Sequence, residues 1–184
     1  MKGSQKNISS YLDTYNLIFE KEYPEKISRL VDLLNNTNAQ NKRIYILGNG
    51  ASAAIASHIA NDLTKALKSK ALTFHDPALI TCFGNDFGYE NWMKEALKHY
   101  AEEKDTVILI SSSGRSENIL KASNFAKEKN INLVSLTGPN PKEEVIENSI
   151  LHFSVNSKIY NVIECIHMII LTSAIDQINM ISLD

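Results

Sequence analysis

The stretch "ILISSSGRSEN", Ile108 to Asn118, decides how this chain is read. An apolar run ends in three consecutive serines; Gly114, Arg115 and Ser116 follow, and then a segment with helical periodicity. Where a buried strand turns into a helix, the first backbone N–H groups of the helix lack partners. The positive end of its dipole also points into the turn. One serine suffices to cap such a helix. Ser111, Ser112, Ser113 and Ser116, with Gly114 to let the backbone bend, exceed that need. Hydroxyl donors gathered at a helix N-terminus are what a phosphate monoester requires, so the turn reads as a phosphate cup.

A second polar turn has the same setting. "GNGAS", residues 48–52, follows the apolar run "RIYIL" at 43–47. Gly48 and Gly50 permit a tight turn and close ligand approach, while Asn49 and Ser52 add polar side chains. "GNGASA" also satisfies G-x-G-x-x-A, and Asp76 follows the next strand candidate, near where a dinucleotide fold carries its ribose-binding acid. That signature is short and leaves the serine turn unexplained. The phosphate reading uses both turns.

The surroundings predict an α/β domain. Strands are expected at 43–47, 71–74, 106–110, 131–137 and 150–155. Helices are expected at 51–67, 77–84, 89–101, 116–130 and about 159–180. Residues 8–36 carry amphipathic spacing through Tyr11, Leu12, Tyr15, Leu17, Ile18, Ile27 and Leu30, with Pro24 breaking or beginning a helix. Short apolar runs alternating with helices predict a parallel sheet covered on both faces, with ligands beyond the carboxyl ends of its strands. One domain is expected over 1–184, with a helical segment at 1–38 and an α/β core at 40–184.

Composition narrows the function classes. The chain has 184 residues, 43% of them hydrophobic, and a formal net charge of −2, which recommends neither nucleic acid nor an anionic membrane as partner. Cys82 and Cys165 lack CxxC spacing, so a reducing cytoplasm is expected. The N-terminus has no apolar signal core, and "VIECIHMIILTSAI", which contains Glu164 and His167, reads as a buried helix.

Four stretches then occur in order: "GNGASAAIASHIANDL" (48–63), "GNDFGYE" (84–90), "SSSGRSENILKA" (111–122) and "LVSLTG" (133–138). Over about residues 40–180 the chain resembles the sugar isomerase (SIS) domain. It resembles most closely the bacterial phosphoheptose isomerases, which convert sedoheptulose 7-phosphate to a glycero-manno-heptose 7-phosphate. The serine cup marks the SIS domain, and "GNDFGYE" marks that branch. The resemblance implies a three-layer α/β/α sandwich of flavodoxin-like type and a homotetramer with active sites between subunits. It implies phosphate contacts from Ser52, Ser111, Ser113 and Ser116, with Gly50 and Ser112 beside them. Asn49 would contact the sugar chain, and Asp86 matches a family position at the sugar site.

Aldose–ketose isomerisation passes through an enediol and needs a base near the carbon-bound proton and an acid near the carbonyl oxygen. His58 and Asp62 are spaced i, i+4 and share a helix face. The resembling enzymes carry His and Glu there, the Glu acting in catalysis and both able to ligate zinc. Asp62 is one methylene shorter. The last helix departs from the family pattern of Asp, Gln-Glu-x-His and a second His. With Glu164 on the family Glu, the other positions hold Tyr160, Ile163 and, for the catalytic His, Leu171. His167, i+3 from Glu164, is the candidate replacement. Asp62, His58 and His167 are therefore the catalytic candidates, with Glu164 as a substrate contact. Zinc on His58, Asp62, Glu164 and His167 is the one cofactor considered. His75 is another acid/base candidate, and Arg115 sits within the cup. A non-catalytic phosphosugar sensor or interaction scaffold is the competing reading.

Overall fold

The computed structural model describes residues 8–15 and 23–180. Five strands form one sheet: β1 (Arg43–Gly48), β2 (Lys70–Leu72), β3 (Thr106–Ser111), β4 (Asn132–Thr137) and β5 (Leu151–Ser154). Their order is β2-β1-β3-β4-β5 and every pairing is parallel. The helices are α1 (residues 8–15), α2 (Tyr23–Ala39), α3 (Ala51–Leu67), α4 (Pro77–Phe87), α5 (Trp92–Tyr100), α6 (Glu117–Glu128), α7 (Glu143–Glu147) and α8 (Tyr160–Ile178). Leu17 and Ile18, expected in the first helical segment, lie outside the described residues.

Side chains alternate across each strand, so one apolar run serves two cores. Ile44, Ile46, Ile108, Ile110, Val134 and Leu136 pack under α2, α3 and α8. Tyr45, Leu47, Val107, Leu109 and Leu133 pack under α5 and α6. The result is the expected three-layer sandwich around a parallel sheet. α8 is long and apolar enough to cross a bilayer by length and composition. Its Val162, Ile166, Ile170 and Ala174 are instead buried in the first of these cores.

Several boundaries differ from expectation for local reasons. β2 ends at Leu72, but Phe74 is still buried, against Tyr45. α4 starts as expected at Pro77, where Asp76 caps it through Ala78 N and Leu79 N, but runs on past Gly84 to Phe87. Gly88, at φ 86°, then breaks the chain, so the next helix starts at Trp92 and not at Tyr89. α7 was not foreseen; five residues give too little periodicity to detect. None of the residues of α4 is buried, although its sequence is "PALITCFGNDF".

Candidate functional site

In this strand order the connections leave β1 toward one edge and β3 toward the other, and a crevice opens between their carboxyl ends. Gly48 of β1 is in register with Ile110 of β3, so the two polar turns begin side by side. Between them lies a cavity of about 170 Å³. Ser52, Ser111, Ser112, Ser113 and Ser116 line it, and Asn49, Tyr160 and Glu164 complete the wall.

The serines do different things. Ser111 Oγ accepts from Gly114 N at 3.1 Å and Ser113 Oγ accepts from Arg115 N at 3.2 Å, which curls the turn. Ser112 Oγ donates to Glu164 Oε1 at 3.4 Å, tying α8 to the cup. Ser116 is the N-cap residue of α6, yet its side chain makes no capping bond. Capping therefore does not account for this hydroxyl, which faces the cavity at the positive end of the α6 dipole. Gly114 is required by the bend: its φ is 60°, and a Cβ there would lie 2.3 Å from Pro141 Cβ. Gly50 precedes α3 at φ 55° and brings Ser52 to the cavity.

Asn49 is held by groups from distant parts of the chain. Its Nδ2 donates to Asn118 Oδ1 at 3.0 Å, and Asn118 Nδ2 returns a bond to Asn49 Oδ1 at 2.9 Å. Tyr89, from the "GNDFGYE" turn, donates to the same Asn49 oxygen at 3.2 Å. One Asn49 N–H remains for a ligand. Asn118, Tyr89 and Tyr160 are site residues that spacing did not reveal. Asp86 is an exposed α4 residue whose carboxylate accepts from Asn85 Nδ2 at 3.0 Å; it is not in the cavity wall.

The acid/base candidates do not gather in one chain. His58 Nε2 and Asp62 Oδ2 stand 3.1 Å apart on α3, with side chains 51% and 29% exposed and outside the cavity wall. His167, expected beside Glu164, is turned the other way. It is fully buried, its Nε2 lies 3.2 Å from Thr137 O, and burial pulls its pKa down to about 4. The expectation of His167 as a catalytic group is thus corrected by its packing: the ring belongs to the core under β4. Leu171 is also a core side chain. Zinc would find only His58 and Asp62 together, and among the described residues no three His, Cys, Asp or Glu side chains assemble a site.

His75 sits beneath the first turn. Its Nε2 donates to Gly48 O at 3.0 Å, its Nδ1 faces Thr73 Oγ1, and its ring meets Trp92 edge-on. Burial lowers its pKa, so the neutral ring braces the turn that carries Asn49. Asp76, the acid of the dinucleotide alternative, is spent on capping α4.

The SIS domain family matches residues 10–138. The chain belongs to that family. It is 31% identical over 167 residues to a phosphoheptose isomerase of Cytophaga hutchinsonii, covering 85% of this chain and 87% of that one. It is 35% identical over 148 residues to phosphoheptose isomerase 2 of Campylobacter jejuni, covering 72% and 73%. The solved phosphoheptose isomerase of Francisella tularensis superposes on 97% of this SIS chain and 99% of its own, with a TM-score of 0.84 and 25% identity.

Proposed function

We propose that this SIS protein is a sugar-phosphate isomerase acting on sedoheptulose 7-phosphate or a close relative. The observation that carries the reading is the Ser116 hydroxyl, which is left uncommitted at the α6 N-terminus inside a cup of serines. The phosphate monoester is anchored there, and its sugar chain runs past Asn49 toward α3. By the helical rise, His58 stands about 9 Å along α3 from Ser52, within reach of the far end of a seven-carbon chain.

In the proposed reaction Asp62 takes a proton from C1 of the ketose while O2 is protonated, giving the enediol. Loss of the O1 proton and return of a proton to C2 then yield the aldose. His58, paired with Asp62, orients the carboxylate and stands as the proton donor to oxygen. Phosphate anchoring holds the reacting carbons at that pair. No step is routed through zinc.

We further propose that a second copy closes the site over His58 and Asp62. An α4 with no buried residue and with Phe87 exposed, an exposed Tyr89 just after it and an exposed Ile169 on α8 support an oligomer, which we take to be a tetramer. Light scattering tests this, and a monomeric mass contradicts it. The exposed thiols of Cys82 and Cys165 suit a reducing, cytoplasmic setting.

The direct test is incubation with sedoheptulose 7-phosphate, followed by proton NMR, with Asp62→Asn as control. Appearance of the heptose 7-phosphate with wild type alone supports the reading. Binding without turnover favours a sensor, in keeping with Leu171 at the family's histidine position.

A further inference from the structure

The serine cup is the smaller part of a larger concavity. A second cavity of about 340 Å³ adjoins it and shares Ser112, Ser113 and Tyr160 as a common wall. Its far side is made by Arg115, by Asn140 in the loop after β4, and by Lys158 in the loop after β5. Two cations line it and no carboxylate does; Glu164 lies on the cup side of Tyr160.

Neither cation is neutralised by the fold. Among the described residues, no ion pair involves Arg115 or Lys158. Arg115 is oriented all the same, because its Nε donates to Asn140 O at 2.8 Å. That bond fixes the guanidinium plane and leaves the terminal nitrogens, a fork suited to phosphoryl oxygens. A single phosphoryl group in the cup is already met by serine hydroxyls and the N–H groups of α6. The cations next door are therefore surplus to a monophosphate.

We propose that this cavity is a second phosphoryl subsite, so that the protein binds doubly phosphorylated ligands with one group on the serines and the other on Arg115 and Lys158. The inference rests on the phosphosugar reading of the cup. It adds a regulatory consequence. A ketose bisphosphate that puts its second phosphoryl group on Arg115 and Lys158 turns its chain away from α3, so its C1 does not reach Asp62 and it occupies the cup without turning over. A sugar bisphosphate, or a ligand with adjacent phosphoryl groups, then acts as a competitive inhibitor.

The test is calorimetric titration at low salt with two pairs of probes: inorganic phosphate against pyrophosphate, and sedoheptulose 7-phosphate against its 1,7-bisphosphate. The expected result is a gain of roughly tenfold or more for the doubly phosphorylated member of one pair. A gain with pyrophosphate marks adjacent phosphoryl groups; a gain with the bisphosphate marks groups at opposite ends of a sugar. The double variant Arg115→Ala, Lys158→Ala, both surface changes, removes that gain and leaves the monophosphate within about twofold. No gain in either pair overturns the proposal. Equal losses for both members of a pair also overturn it, because they put the cations on the single cup phosphate. Ser116→Ala separates the two readings: it weakens every probe if the cup is a phosphate site. If it weakens none, the cup reading falls and the subsite falls with it.

Discussion

Around the serine turn, several elements of this chain converge. β3 ends in it, α6 starts from it, the first turn of α3 brings Ser52, and α8 brings Glu164 to Ser112. Around His58 and Asp62, about two and three turns further along α3, the His58 side chain is half exposed and Asp62 lies in a separate cavity with Lys65 and with Ile175 and Asp176 of α8. The first region gathers four elements of this chain around one cavity. The second is the proposed acid/base pair, open to solvent, and the proton transfer proposed there requires a surface that excludes water. The difference separates anchoring from chemistry, and each half can be broken without the other.

The largest expected effect is on the chemistry alone. Asp62→Asn lowers turnover by about 10²-fold or more and leaves the affinity for sedoheptulose 7-phosphate within about twofold. Steady-state rates and calorimetry check both numbers, and full activity would reduce the pair to a surface contact. Gly114→Ala breaks the anchoring half. The new Cβ meets Pro141 at a backbone angle that favours glycine, so stability falls by about 2 kcal/mol or more and phosphate binding is lost. Denaturant unfolding and phosphate titration measure this.

Ser116→Ala sharpens the comparison, because the side chain makes no cap bond. Phosphate affinity drops roughly tenfold while stability moves by less than about 0.5 kcal/mol. A loss near the ~1 kcal/mol typical of an N-cap would show that the hydroxyl serves the helix instead.

The last effect lies outside both regions and follows from His167. Its folded pKa, about 4, is below the ordinary imidazole value, so the unfolded chain takes up a proton first on acidification. Its contribution is present above the unfolded value and is lost as pH falls toward 4. Urea midpoints between neutrality and pH 4 should decline in wild type and decline less in His167→Gln. His152, also pulled down to about 4 by burial, leaves part of the slope in that variant.

The fold was legible because strands buried on both faces have almost no polar positions to blur them. "TVILI" could be read in isolation for that reason, and the glycine and serine turns punctuated it. The cup was legible because its parts are contiguous: Ser111 to Ser116 reach one cavity with no tertiary information. Asn118, 69 residues from Asn49, and Tyr89, 40 residues away, were not, since a hydrogen bond across the sheet end leaves no local pattern. His167 misled for a related reason. Its spacing from Glu164 is correct for a shared helix face, but α8 is buried along that flank and Thr137 O accepts the ring. Periodicity gives neighbours along a helix and not which of them meets the core. The second-copy surface proposed over His58 and Asp62 belongs to the same class, because a contact between copies leaves no local pattern.

The central claim is that a phosphate held by the serines delivers a sugar carbon to a base on this chain. Incubation with sedoheptulose 7-phosphate in deuterium oxide tests it most directly, with the carbon-bound protons at C1 followed by NMR. An enediol pathway predicts exchange of one C1 proton by wild type, sharply reduced in Asp62→Asn and slowed in Ser116→Ala at low substrate. A bound sugar phosphate whose carbon protons never exchange would contradict it.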